Sequence, residues 1–145
     1  MTLLAVDPGA DAGWARFSDS GKLVGCGLNH PAMTQGITRC VIERPVIYPG
    51  SRGKARPNDI LTLALRAGEW AGRVGVDSGI TPEYIEPRKW KGTIDGDICN
   101  ARVFATLTDG EKDILVTAGK SVAPSKRHNI IDAVGIGLWA CKRYR

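Results

Sequence analysis

The chain has 145 residues, of which 43% are hydrophobic and 24% charged. That is enough for one domain with its own core, and the composition excludes a disordered chain, a collagen and a coiled coil. Lys and Arg number 20 against 15 Asp and Glu, a net charge of +5, which fits either a polyanionic partner, nucleic acid foremost, or a plain basic solubility surface.

Leu3-Leu4-Ala5-Val6 is a short apolar run without alternation, so it predicts a strand buried on both faces, ending at Asp7-Pro8-Gly9. No basic segment precedes it, and no signal peptide is expected. No run reaches the ~18 apolar residues of a membrane span. The expectation is a soluble, intracellular protein. Gly13 to Phe17 and Lys22 to Leu28 predict two further strands, joined by the hairpin signal Asp19-Ser20-Gly21. Residues 29–38 are polar and broken by Pro31 and Gly36. Arg39-Cys40-Val41-Ile42-Glu43 predicts a fourth strand, again apolar and again ending in a carboxylate.

Residues 49–57 form a loop with three cations, Arg52, Lys54 and Arg56, and no anion. From Asn58 to Val74 the apolar residues Ile60, Leu63, Ala64, Ala67, Trp70, Ala71 and Val74 recur at helical spacing, with Asn58 as N-cap. Asp59, Arg66, Glu69 and Arg73 lie outward. Glu83 to Pro87 predicts a short strand, followed by Arg88-Lys89-Trp90-Lys91-Gly92. Asp97 to Leu107 predicts a helix with Ile98, Ala101, Phe104 and Ala105 inward. Thr108-Asp109-Gly110-Glu111 matches a capping box and opens a helix to Ala118. Ser125 caps a last helix from Lys126 to about Lys142, and Lys142, Arg143 and Arg145 complement the negative end of its dipole. Cys26, Cys40, Cys99 and Cys141 form no CxxC pair and read as buried, reduced thiols.

Three acidic positions stand out by context. Asp7 and Glu43 each end a buried strand, and Asp132 lies within the apolar last helix. A carboxylate in such surroundings is costly unless paired or bound to a metal. If the first and fourth strands are parallel neighbours, Asp7 and Glu43 emerge at one edge. The last helix, crossing there, brings Asp132 close, with Asn129 and His128 on the same face. Gly135 and Gly137 would let that helix approach the sheet. Hard oxygen ligands suit Mg²⁺. Two such ions about 3.5–4 Å apart activate water and stabilise the leaving oxygen of a phosphodiester. Taken singly, each acid also reads as a turn, strand-edge or surface residue.

Leu4 to Gly9 followed by Gly13-Trp14-Ala15 resembles the opening hairpin of the RuvC-type Holliday-junction resolvases. Val41-Ile42-Glu43 resembles their second carboxylate strand. Glu86-Pro87-Arg88-Lys89-Trp90-Lys91 resembles their strand followed by a basic stretch, and His128 to Ala133 their C-terminal acidic helix. Together these cover nearly the whole chain in order. The short length and the Gly135 to Trp139 segment look most like bacteriophage members. The resemblance implies an α/β, ribonuclease H-like fold, with a five-stranded mixed sheet and helices on both faces, in a single nuclease domain over 1–145. It also implies a cytoplasmic homodimer (in the host cell, for a phage protein) that resolves four-way DNA junctions by paired nicks. Mg²⁺ would be the cofactor, with Mn²⁺ substituting and two ions per active site. Asp7, Glu43 and Asp132 become metal ligands. The family's fourth ligand, an Asp or His, sits where this chain has Asn129, with His128 one residue further back. That departure leaves His128 and Asn129 as alternatives, His128 also as a proton-handling group or an ordinary helix-start histidine.

The family places an aromatic residue near Tyr48 to stack at the junction centre, and a partly buried strand-end tyrosine is the plainer reading of it. Lys91 matches the family's lysine near the active site, and Trp90 reads as core. Arg52, Lys54, Arg56, Arg88, Lys89, Lys91, Lys126 and Arg127 are the expected phosphate contacts. Cations at the start of the last helix oppose its dipole and imply an anion nearby. The dimer interface is expected on the Asn58–Val74 helix, whose apolar stripe is wide enough to spare contacts. The alternatives are a ribonuclease H-like RNA-processing nuclease and a catalytically weak branched-DNA binding protein. A two-domain actin-like phosphotransferase does not fit the length.

Overall fold

The computed structural model describes residues 2–29, 34–49 and 56–144. Five strands form one sheet: β1 (Leu3–Asp7), β2 (Gly13–Phe17), β3 (Leu23–Leu28), β4 (Arg39–Glu43) and β5 (Glu83–Ile85), in the order β3-β2-β1-β4-β5. The first three strands are an antiparallel meander, and β1, β4 and β5 run parallel. The expected α/β architecture with a five-stranded mixed sheet is therefore present.

Side chains alternate across a strand, and the two cores follow that alternation. Leu4, Val6, Cys40 and Ile42 pack with Trp14, Ala67, Trp70 and Val74 on one side. Leu3, Ala5, Val41 and Ile85 pack with Trp90, Val103, Leu115, Ile130 and Val134 on the other. Helix α1 (Pro57–Ser78) covers the first side. The second carries α2 (Pro87–Trp90), α3 (Gly96–Thr106), α4 (Asp109–Lys120) and α5 (Arg127–Ala140).

The helices depart from expectation at their ends and in one facing. Asn58 is not the cap of α1: Pro57 opens the helix, with Arg56 as the N-cap residue. Proline's fixed φ suits the first helical position, where no N–H is needed. The helix then runs four residues past Val74, until Gly79 closes it at φ 66° with its N–H on the Gly75 carbonyl. In α3 the inward residues are Cys99 and Val103, and Ile98 is 56% exposed. Apolar residues lie on both sides of that helix, so periodicity alone did not select the face. The capping box is formed as expected, Thr108 with Glu111. Ser125 does not cap α5, because it lies in a 3-10 turn, Pro124–Lys126, that precedes the helix. The helix ends at Ala140, before Lys142 at φ 58°, and Arg143 turns back to Glu111 rather than serving the dipole.

Two glycines of α5 meet side chains that leave no room for a Cβ. At Gly137 it would lie 1.9 Å from the Phe17 ring, and at Gly135 2.4 Å from the Trp90 ring. A third close approach fixes the other end. A Cβ on Gly13 would lie 1.9 Å from the Asn129 carbonyl oxygen. Gly13 is the register partner of Asp7, so α5 sits down on the sheet beside that carboxylate.

Candidate metal centre and nucleic-acid interface

Register and alternation bring the acids together. Val6 pairs with Ile42 in the parallel β1–β4 ladder, so Asp7 and Glu43 are the next residues along each strand. Both share parity with Ala5 and Val41, which face α5. Asp132 lies in the second turn of α5. Burial, then the neighbouring Glu43 and Asp132 charges, hold the Asp7 carboxyl well above the usual carboxylate range, with Lys91 opposing them. Burial also raises Glu43, against the pull of Lys91 and of a hydrogen bond from Trp90. Burial raises Asp132 as well, with Lys91 and His128 opposing. Three carboxylates thus share one lysine, and the cluster carries excess negative charge.

A cleft of about 490 Å³ reaches the cluster at Asp132 and Lys91, and Asp95, Asp97, Asn100 and His128 also line it. His128 is exposed and shares the cleft with Asp132, whereas the Asn129 backbone is pressed against Gly13. Asp95, Asp97 and Asn100 were not singled out in the sequence. They precede or open a helix, where acids and amides are ordinary.

Hard oxygen donors with uncompensated charge fit a divalent ion such as Mg²⁺. Among the described residues, no three His, Cys, Asp or Glu side chains gather closely enough to hold an ion as they stand. The fit therefore rests on the chemistry of the donor set.

The basic residues diverge. Of the three cations around Trp90, Lys91 serves the carboxylates and Lys89 lines a separate cleft with Arg44, Glu83 and Glu86. Arg88 lies over the Tyr48 ring, 3.7 Å from its centroid, and donates its backbone N–H to the Tyr48 hydroxyl at 3.3 Å. Tyr48 is half-buried under that guanidinium. Lys126 has an anion nearby, but it is the protein's own Asp11, at 3.2 Å. Arg127 donates to the Gly119 carbonyl at 2.7 Å. Arg56 is exposed at the start of α1. Arg52 and Lys54 lie outside the described residues. Sequence reasoning took Trp90 as core, and it is 2% exposed. It missed that the Trp90 Nε1–H donates to Glu43 Oε2 at 2.5 Å, since nothing in a sequence gives an indole's direction.

No protein-family model matches the chain, and no curated protein matches it. Among solved structures, it is similar to RuvC of Thermus thermophilus in complex with a Holliday junction substrate. The TM-score is 0.55 at 17% identity, over 95% of this chain and 90% of that one. The structure of Thermus thermophilus RuvC alone gives a TM-score of 0.49 at 17% identity, over 95% and 92%. At a TM-score of 0.55 over nearly the whole chain, the fold is that of the junction-bound RuvC structure.

Proposed function

We propose that the chain is a divalent-metal-dependent endodeoxyribonuclease that binds four-way DNA junctions and resolves them by paired nicks, acting as a homodimer in the cytoplasm. The observation that carries this reading is the cluster itself. Asp7, Glu43 and Asp132 come from three separate elements, each is made costly to ionise first by burial, and all three share Lys91. Such a cost is unreasonable for a purely structural cluster and reasonable for a metal centre. Among the described residues no helix is long and apolar enough to cross a membrane.

In this reading Asp7, Glu43 and Asp132 hold two Mg²⁺ or Mn²⁺ ions, with His128 or Asn129 as the fourth donor. When bound, the ions supply Lewis-acid stabilisation of the phosphodiester and lower the pKa of water. Lys91 compensates charge developing at the phosphate. His128, exposed at the cleft, is placed to exchange protons with solvent. Tyr48, backed by Arg88, offers a planar stack for an unpaired base, and Arg52, Lys54 and Arg56 are the proposed phosphate contacts; Lys126 and Arg127 would join them only by releasing Asp11 and the Gly119 carbonyl.

The homodimer reading rests on α1. Leu61, Ala64, Leu65, Gly68, Gly72 and Val76 fall within an arc of about 120° at 100° per residue. Leu61, Leu65 and Val76 are 61%, 70% and 86% exposed, and Gly68 and Gly72 have nothing near their Cβ positions. This strip faces away from the buried Ala67, Trp70 and Val74 and carries no charge. Small residues between leucines suit close helix-on-helix packing, and a two-fold axis through it would relate two active sites.

The test is nicking of a synthetic four-way junction, set against linear duplex, in Mg²⁺. The parent should cut symmetrical strands, and Asp7→Asn should lower the rate more than about a hundredfold. An Asp7→Asn protein that cuts as fast as its parent would sink the assignment. Junction binding that persists in EDTA, with no product in Mg²⁺ or Mn²⁺, would instead identify a binding protein. Preferential cleavage of structured RNA would identify an RNA-processing nuclease.

A further inference from the structure

Trp90 occupies a position that core packing alone does not explain. It is the last residue of α2 and is 2% exposed. Its ring fills the space left by Gly135 of α5, where a Cβ would approach Cζ3 to 2.4 Å. Tyr144 meets it edge-on, with centroids 6.5 Å apart. The indole is therefore wedged from two sides, and its N–H direction is fixed. That N–H points at Glu43, donating to Oε2 at 2.5 Å. Lys91 Nζ, the cation shared by the three carboxylates, lies 5.1 Å from the Trp90 ring centroid.

We infer that Trp90 is a positioning residue for the carboxylate centre. Its N–H orients Glu43, and its ring face provides the shelf on which Lys91 rests. The inference depends on the metal-centre reading above and adds a residue to it. A glutamate has three side-chain torsions, and each must be frozen before a carboxylate can present itself. A hydrogen bond from a wedged indole to one oxygen restrains the group and directs the other. Outer partners of this kind set ligand orientation in metal sites, and their loss typically costs about 10–100-fold in metal affinity. A buried tryptophan could satisfy its N–H on any backbone carbonyl. Here it uses a carboxylate whose own burial is unfavourable, so the bond serves both partners. The cation over the ring face adds a weaker restraint on the lysine.

The experiment is Mn²⁺ titration by calorimetry, without DNA, on the parent, Trp90→Phe, Trp90→Met, Glu43→Ala and the Trp90→Phe/Glu43→Ala double variant. Phe keeps an aromatic ring against Gly135, Met is the more adaptable filler, and both delete the donor. Thermal midpoints in EDTA identify which of the two is folded and fit for comparison. The expected result is Mn²⁺ affinity about 10–100-fold weaker in the folded Trp90 variant. In the Glu43→Ala background the further loss from Trp90→Phe should be under about twofold, because the effect runs through Glu43. Equal losses in both backgrounds, or none in either, overturn the positioning role. Unchanged Mn²⁺ binding by Glu43→Ala is a separate failure: it removes the metal-centre reading on which the inference stands.

Discussion

Asp7 is held where a carboxylate is least stable, at the end of a buried strand and facing two other acids. Its proton affinity is raised in the folded chain, first by burial and then by Glu43 and Asp132. The native state therefore binds the proton more tightly than the unfolded state. The stability linked to this group is present at low pH and is lost as pH rises through the raised value. Without metal, the buried cluster is unfavourable at any pH above that raised value. Asp7→Asn keeps the shape and removes a group that must either ionise beside two acids or take up a proton. Metal-free Asp7→Asn should melt about 2–6 °C above the parent at pH 7.5, while losing nicking activity. A lower melting point in EDTA, read by calorimetry, would contradict that account. These three acids were legible in the sequence because each interrupts an apolar run, and strand parity then sets two of them on one face. The Trp90 bond to Glu43 was not legible. It depends on a ring angle that Gly135 permits, some 45 residues away along the chain.

At the level of elements, α4 is tied to the sheet by a residue that local signals explain only in part. Glu111 closes the capping box on the Thr108 N–H at 2.9 Å. The same carboxylate accepts the Leu23 N–H of β3 at 2.8 Å and a two-pronged contact from Arg143 at 2.6 and 2.9 Å. The capping box was readable from four consecutive residues. The other partners were not, because they come from β3 and from the chain after α5. The same contrast runs through the fold. β2 and β4 match their expected spans, since alternation and turn residues bound them locally. The inward face of α3 needed the position of α5. The Arg143 hydrogen bonds hold the Glu111 carboxyl near a pKa of about 2, below its ordinary 4.5. That stabilisation is full above pH 4.5 and is lost as pH falls toward 2. Glu111→Gln should cost about 2–3 kcal/mol at pH 7, since it leaves a partly buried guanidinium unpaired. Urea unfolding should then show the gap between variant and parent closing as pH is lowered to the folded pKa. A gap that is constant with pH would mean that the pair contributes nothing through charge.

Over the whole molecule, the net charge of +5 conceals how the cations are spent. Arg39, Arg44, Arg66, Lys126 and Arg143 are each engaged by an acid of the same chain. Net charge therefore says little about where a polyanion would lie, and the stronger large-scale signal is apolar. α1 has three kinds of surface: a core face, a charged face with Arg66, Glu69 and Arg73, and the uncharged strip from Leu61 to Val76. Among the described residues nothing covers that third face. If it joins two copies, a charge at its centre must separate them without harming either fold, because Leu65 is 70% exposed. Leu65→Glu should therefore keep the parent's circular dichroism and sediment as a monomer where the parent sediments as a dimer. On a junction it should give single nicks in place of paired ones, since one chain carries one carboxylate centre. Gly68→Ala supplies the complementary check. With nothing near its Cβ, the change favours an isolated helix by about 1 kcal/mol, yet it would hold two α1 helices apart. A Leu65→Glu protein that remains dimeric and still makes paired cuts would place the interface elsewhere.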